Sequence, residues 1–117
     1  MRTQKKQERL DLNDLTWHDG RFLGLHSEVS LSGKSVVTLT VSLLVSLDSK
    51  ERNTYVLKFK KPSRLISNFD FELMKKNYNF GNISEGRVYK DSGVRICIYL
   101  VEGHIEIVGE KVDLVVA

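Results

Sequence analysis

Chemistry in a short chain must come from residues whose types and spacing converge, and the first such pair here is His18-Asp19. A metal-dependent phosphohydrolase built on a His-Asp pair needs further histidines and aspartates on several helices, so that the ligands meet at one ion. This chain has three histidines, His18, His26 and His104, at spacings that match no zinc motif. The pair therefore reads as structural, the aspartate taking backbone N–H groups and the histidine packing beside Trp17. His26 and Glu28 share a strand face, which is ordinary for an exposed strand. No Ser-His-Asp order, phosphate-cradling glycine loop or paired-carboxylate setting can be named, and Gly24 and Gly33 stand alone. The single cysteine, Cys97, lies in the apolar run 94–101, where a thiol packs as a small hydrophobe and burial opposes the thiolate. The expectation is a protein that is not an enzyme and carries no metal ligands and no cofactor.

Two charged groups remain as candidates for binding. Lys58, Lys60, Lys61 and Arg64 form a local basic cluster with Tyr55 and Phe59 interleaved. Lysines beside aromatic platforms suit single-stranded nucleic acid. Tyr55 and Phe59 share parity with Leu57, however, which puts them on the core face, opposite Lys58 and Lys60. Near the end of the chain Glu102, Glu106, Glu110 and Asp113 stand against Lys111 alone from Val101 onward. An acidic face there would suit a basic partner, because complementary charge steers association.

These residues need strands to position them. Leu23, Leu25, Val29 and Leu31 alternate with Gly24, His26, Glu28 and Ser30, and Ser32-Gly33-Lys34 makes a turn. The clearest strand follows: Val37, Leu39, Val41, Leu43, Val45 and Leu47 face one side, and Thr38, Thr40, Ser42 and Ser46 the other. Valine and threonine are stiff at χ1 and favour a pleated surface. After a polar loop at 48–53, Tyr55, Leu57 and Phe59 form a third strand, which Pro62 is expected to end because it cannot donate to a ladder. Asn68 is expected to cap a short helix reaching about Asn77, with Asp70 and Glu72 in its first turn and Lys75 and Lys76 in its last. Pairs Phe69–Leu73 and Met74–Tyr78 would give it an apolar stripe, while Phe69-Asp70-Phe71-Glu72-Leu73 also alternates as a strand would. Strands at 83–90, 94–101 and 105–108 then come through turns at 91–93 and 102–104, and Gly109 marks a bulge before 112–116. The fold class is mainly β: an antiparallel β-sandwich or open barrel of six to eight strands with one short α-helix.

A chain of 117 residues is the size of one domain. Arg2, Lys5, Lys6 and Arg9 against Glu8 account for the whole net charge of +3, leaving 14 basic and 14 acidic side chains elsewhere. The organisation expected is a basic leader over 1–13, solvated or flexible, and a β domain over 14–117. No stretch approaches the roughly 20 apolar residues that span a bilayer, and the first ten residues lack the apolar centre of a secretory signal. One cysteine builds no disulfide scaffold, so a reducing cytoplasm is the compartment expected.

Four segments carry a resemblance: Trp17-His18-Asp19-Gly20-Arg21-Phe22-Leu23-Gly24-Leu25; Tyr55-Val56-Leu57-Lys58-Phe59 before the proline; Gly81-Asn82-Ile83; and Ile98-Tyr99-Leu100-Val101-Glu102-Gly103-His104-Ile105-Glu106-Ile107. Over residues 15–116 the chain resembles the small β-sandwich immunity proteins of bacterial toxin–immunity systems. The resemblance implies a non-catalytic protein that neutralises a cognate toxin domain, often a nuclease, by binding over its active site. On that reading the acidic group would face a basic toxin, and the Lys58–Arg64 group an acidic one. The alternative is a nucleic-acid-binding module using the basic leader and the same lysines, with steep salt dependence.

Overall fold

The computed structural model describes residues 11–76 and 81–117, and six strands make up most of them. They are β1 (Thr16–Val29), β2 (Ser35–Leu44), β3 (Arg52–Phe69), β4 (Asn82–Lys90), β5 (Val94–Leu100) and β6 (Gly103–Val116), with one helix, α1 (Phe71–Lys76), between β3 and β4. Every neighbouring pair is antiparallel, and the order β1-β2-β3-β6-β5-β4 closes into a barrel. The expected mainly-β class is what forms, as a barrel rather than a sandwich. Two three-stranded meanders are joined edge to edge. The β3–β6 seam is long, whereas β1 meets β4 through only two pairs, Gly20–Ile83 and Arg21–Asn82.

The alternation in β2 explains the core. Val37, Leu39, Val41 and Leu43 point inward and are buried, as are Tyr55, Leu57 and Phe59 on β3. Ile96, Ile98 and Leu100 from β5 and Ile105 and Ile107 from β6 complete the packing. Each such side chain contributes about 1.5–3 kcal/mol by leaving water. The parity stops where the strand stops. β2 ends at Leu44, so Val45 and Leu47, expected in the core, are exposed in the loop that follows.

Four local expectations are corrected. In β1 a register shift between Phe22 and Gly24 turns Leu23 outward, while Phe22 and Leu25 pack on the core and Val29 and Leu31 are exposed. Pro62 does not end β3. A bulge sits there, with Lys61 at φ 50° and a shift between Pro62 and Arg64, and a proline tolerates a bulge because the ladder needs no N–H at that point. The bulge expected at Gly109 is thus carried by the partner strand, and β6 runs through without interruption. The helix begins after Asp70, not Asn68: Asp70 Oδ1 accepts from Leu73 N–H at 2.9 Å, whereas Asn68 pairs with His104 within the β3–β6 ladder. Phe69 accordingly belongs to β3, and Asn77, Tyr78 and Asn79 lie outside the described residues. So does the basic leader up to residue 10. Leu12, in a single 3-10 turn over Leu12–Asp14, is buried, and the turn is tied to β4 by Asp11–Lys90 at 3.0 Å.

Candidate functional site

The most distinctive motif, Trp17-His18-Asp19-Gly20, lies where the barrel closes. Between Thr16–Leu44 and Arg21–Ser42 the register of β1 against β2 slips, so the intervening residues bulge and turn toward β4. Asp19 adopts φ 67°, which a short polar side chain tolerates better than most. Its carbonyl accepts from the Arg52 guanidinium at 2.7 Å. His18 Nδ1 lies 3.0 Å from the Ser84 carbonyl on β4 and Nε2 3.7 Å from Asp19 Oδ2, with both side chains mostly exposed. Trp17 is buried against Gly86 of β4, where an added Cβ would lie inside the indole. Gly20 is equally constrained: its Cβ would stand 2.8 Å from the Trp17 carbonyl. These residues build the β1–β4 seam. His26 approaches Glu28 at 3.7 Å on the outer face, far along β1 from the seam. Among the described residues no group of His, Cys, Asp and Glu is arranged to hold a metal ion.

The basic and acidic groups, distant in sequence, are brought side by side. β3 and β6 pair so that Lys60 meets Asp113 at 2.9 Å, Lys61 meets Glu110 at 3.5 Å and Arg64 meets Glu106 at 3.7 Å. Lys58 stands opposite Asp113 in the ladder. What the sequence suggests as two separate faces is one band of alternating charge. Exposed pairs of this kind contribute about 0–1 kcal/mol each to stability, and they leave the band nearly neutral as a whole.

Glu102 does not belong to that band. Expected on an exposed acidic face, it is 2 % exposed, in the two-residue turn between β5 and β6. Its carboxylate accepts from Gly81 N–H at 3.2 Å, and its carbonyl accepts from Asp70 N–H at 2.8 Å. One residue thus holds both ends of the β3–β4 crossover.

The same end of the barrel carries exposed apolar side chains that sequence patterning alone does not single out. Phe22 stacks on Phe69 with centroids 5.2 Å apart, and Phe69 lies 6.0 Å from Phe71. Phe71 is 67 % exposed, and Leu23 on β1, Leu73 on α1 and Val101 in the β5–β6 turn are exposed as well. None of the residues of α1 described, Phe71–Lys76, is buried, so its apolar side chains project. Cys97 faces the outer side of β5 between Arg87 and Glu106, yet its neighbours cover it. Burial pushes its thiol up from the ordinary value, and the Glu106 carboxylate adds to the shift. A thiolate is disfavoured there.

No helix among the described residues is long and apolar enough to cross a membrane. Comparison with protein-family models, curated proteins and solved structures finds no match for this chain.

Proposed function

We propose that this barrel is a cytoplasmic immunity protein that binds one cognate toxin domain and blocks its active site. The observation that carries the reading is the exposed apolar end centred on Phe71, flanked by the charged β3–β6 band. Stable interfaces concentrate their energy in a few large apolar anchors surrounded by polar contacts, and isolated monomers rarely leave clustered aromatics uncovered. The resemblance in the Trp17–Leu25 and Ile98–Ile107 segments supplies the class of partner. In this reading Phe71 and its neighbours seat in the toxin. Lys58, Lys60, Lys61 and Arg64, with Glu106, Glu110 and Asp113, set its orientation by exchanging internal pairs for intermolecular ones. Glu102 serves by holding the anchor-bearing crossover in place. The nucleic-acid alternative draws less support, since Lys60, Lys61 and Arg64 each already face a carboxylate.

The test is co-expression with the product of the adjacent upstream gene, read by growth rescue and by co-purification of a one-to-one complex. Phe71→Asp should abolish rescue while leaving the isolated barrel folded, because the side chain is already in water. A neighbouring product that is harmless by itself, or rescue that survives Phe71→Asp together with reversal of the charged band, refutes the proposal.

A further inference from the structure

Beside the β3 bulge lies an open cleft of about 300 Å³, and it is independent of the apolar end. Lys61, Ser63, Asp91, Ser92, Arg95 and Glu110 are among the residues that line it, two cationic and two acidic side chains together. Three observations there point the same way. The Arg95 guanidinium carbon lies 4.1 Å from the Tyr89 ring centroid, the side chain also interacts with Cys97, and among the described residues it forms no ion pair with a carboxylate. A stacked arginine presents its fork of N–H donors ready for a planar or tetrahedral oxyanion. Lys61 keeps φ 50°, a conformation that L side chains avoid, at a bulge whose extra residue brings Ser63 to the same cleft. Strain of this sort, held at a bulge, marks places where side chains are re-aimed for a ligand. Finally, Lys61 pairs with Glu110 at 3.5 Å, its one counter-ion among the described residues, in an exposed and replaceable contact.

We infer that this cleft binds a small oxyanion group, a phosphate ester or a carboxylate, with Arg95 as its anchor. Ser63 and Ser92 supply neutral donors, and the ligand takes the place of Glu110 beside Lys61. The volume, at the lower end of ligand pockets, has room for a head group of that kind.

Amide NMR titration of the full chain with inorganic phosphate and, separately, with acetate tests this, with sodium chloride at matched ionic strength as the control. Saturable shifts should appear at Gly93, Val94, Gly109 and their neighbours. Loss of a charge-assisted pair lowers affinity roughly tenfold or more, so Arg95→Gln should weaken binding by that factor. Glu110→Gln removes the resident competitor and should tighten it by about two- to fivefold. Saturation by phosphate alone assigns a phosphate ester and by acetate alone a carboxylate, and either supports the oxyanion site. Absence of saturable shifts with both anions overturns it, as does Arg95→Gln binding as tightly as the parent while its spectrum shows the native fold.

Discussion

Replacing Glu102 separates a structural carboxylate from a partner-binding one. In the folded chain its side chain is 2 % exposed and accepts from Gly81 N–H, at the point where the crossover re-enters the barrel. Glu102→Ala leaves that buried N–H without this acceptor, which costs about 1–3 kcal/mol. It also opens a small void, so the total should fall at or above about 2 kcal/mol. A chain of 117 residues has an unfolding entropy of about 0.25 kcal/mol per kelvin near its midpoint. The expected loss is therefore roughly 8 °C in Tm, or about 1 M in the urea midpoint for an m-value near 2 kcal/mol per molar. Trp17 is the single tryptophan and is buried, so its fluorescence reports the transition directly. Glu102→Gln keeps an acceptor of nearly the same shape and should recover half or more of the loss. If Glu102→Ala leaves Tm within about 1 °C of the parent yet abolishes partner binding, the carboxylate is an interface group and the latch argument fails.

Four further outcomes follow from the same geometry. Gly86→Ala drives a methyl group into the Trp17 ring and should cost about 3 kcal/mol, with a shifted native tryptophan emission; equal stability would mean that the indole repacks freely. Lys61→Gly removes a side chain from φ 50° and should raise stability by up to about 1 kcal/mol in thermal unfolding, whereas a marked loss would show that the bulge depends on the lysine. Asp113→Asn breaks the Lys60 pair and should cost under about 1 kcal/mol, a difference that shrinks in 1 M salt. Asp11 has its carboxyl pKa lowered, first by the Asn13 N–H and then by Lys90. A depressed folded pKa stabilises above the unfolded value near about 3.9 and is lost as pH falls through the folded one, so Asp11→Asn should differ from the parent above pH ~4 and converge with it in more acid solution.

How much of this was legible in sequence depended on the range of the interaction involved. The strand core was legible because burial and period two impose the same parity on every residue: Val37 to Leu43 and Tyr55 to Phe59 could not occupy both faces. The hairpin turns at Gly33 and at 91–93 were legible for the same local reason, glycine and short polar residues favouring a reversal. What was not legible was set by pairing between distant strands. Pro62 looks like a terminator until β6 runs alongside and absorbs it in a bulge. Glu102 looks like surface until Gly81 and Asp70, far upstream, converge on it. Lys58–Arg64 and Glu102–Asp113 look like two binding faces because nothing local shows that their strands are neighbours. Asn68 and Asp70 are both good caps, and only the length of β3 chose between them.

The seam residues and the apolar end meet at one point of the fold. Gly20 and Arg21 pair with Ile83 and Asn82, the next residue, Phe22, donates its N–H to the Gly81 carbonyl at 2.8 Å, and Glu102 holds Gly81 from the other side. The Phe22 ring then begins the stack that continues through Phe69 to Phe71. A seam of two pairs is the least reinforced join of the barrel, and such joins sit at the low end of a protein's local stability. On the proposed reading, a partner seated against Phe22, Phe69 and Phe71 would also hold β1 against β4, linking binding to barrel closure. The Trp17-His18-Asp19-Gly20 motif then has a reason to be so particular in its residues. It shapes the β1–β4 join next to Phe22, through the packing of Trp17 on Gly86 and the backbone geometry of Asp19 and Gly20.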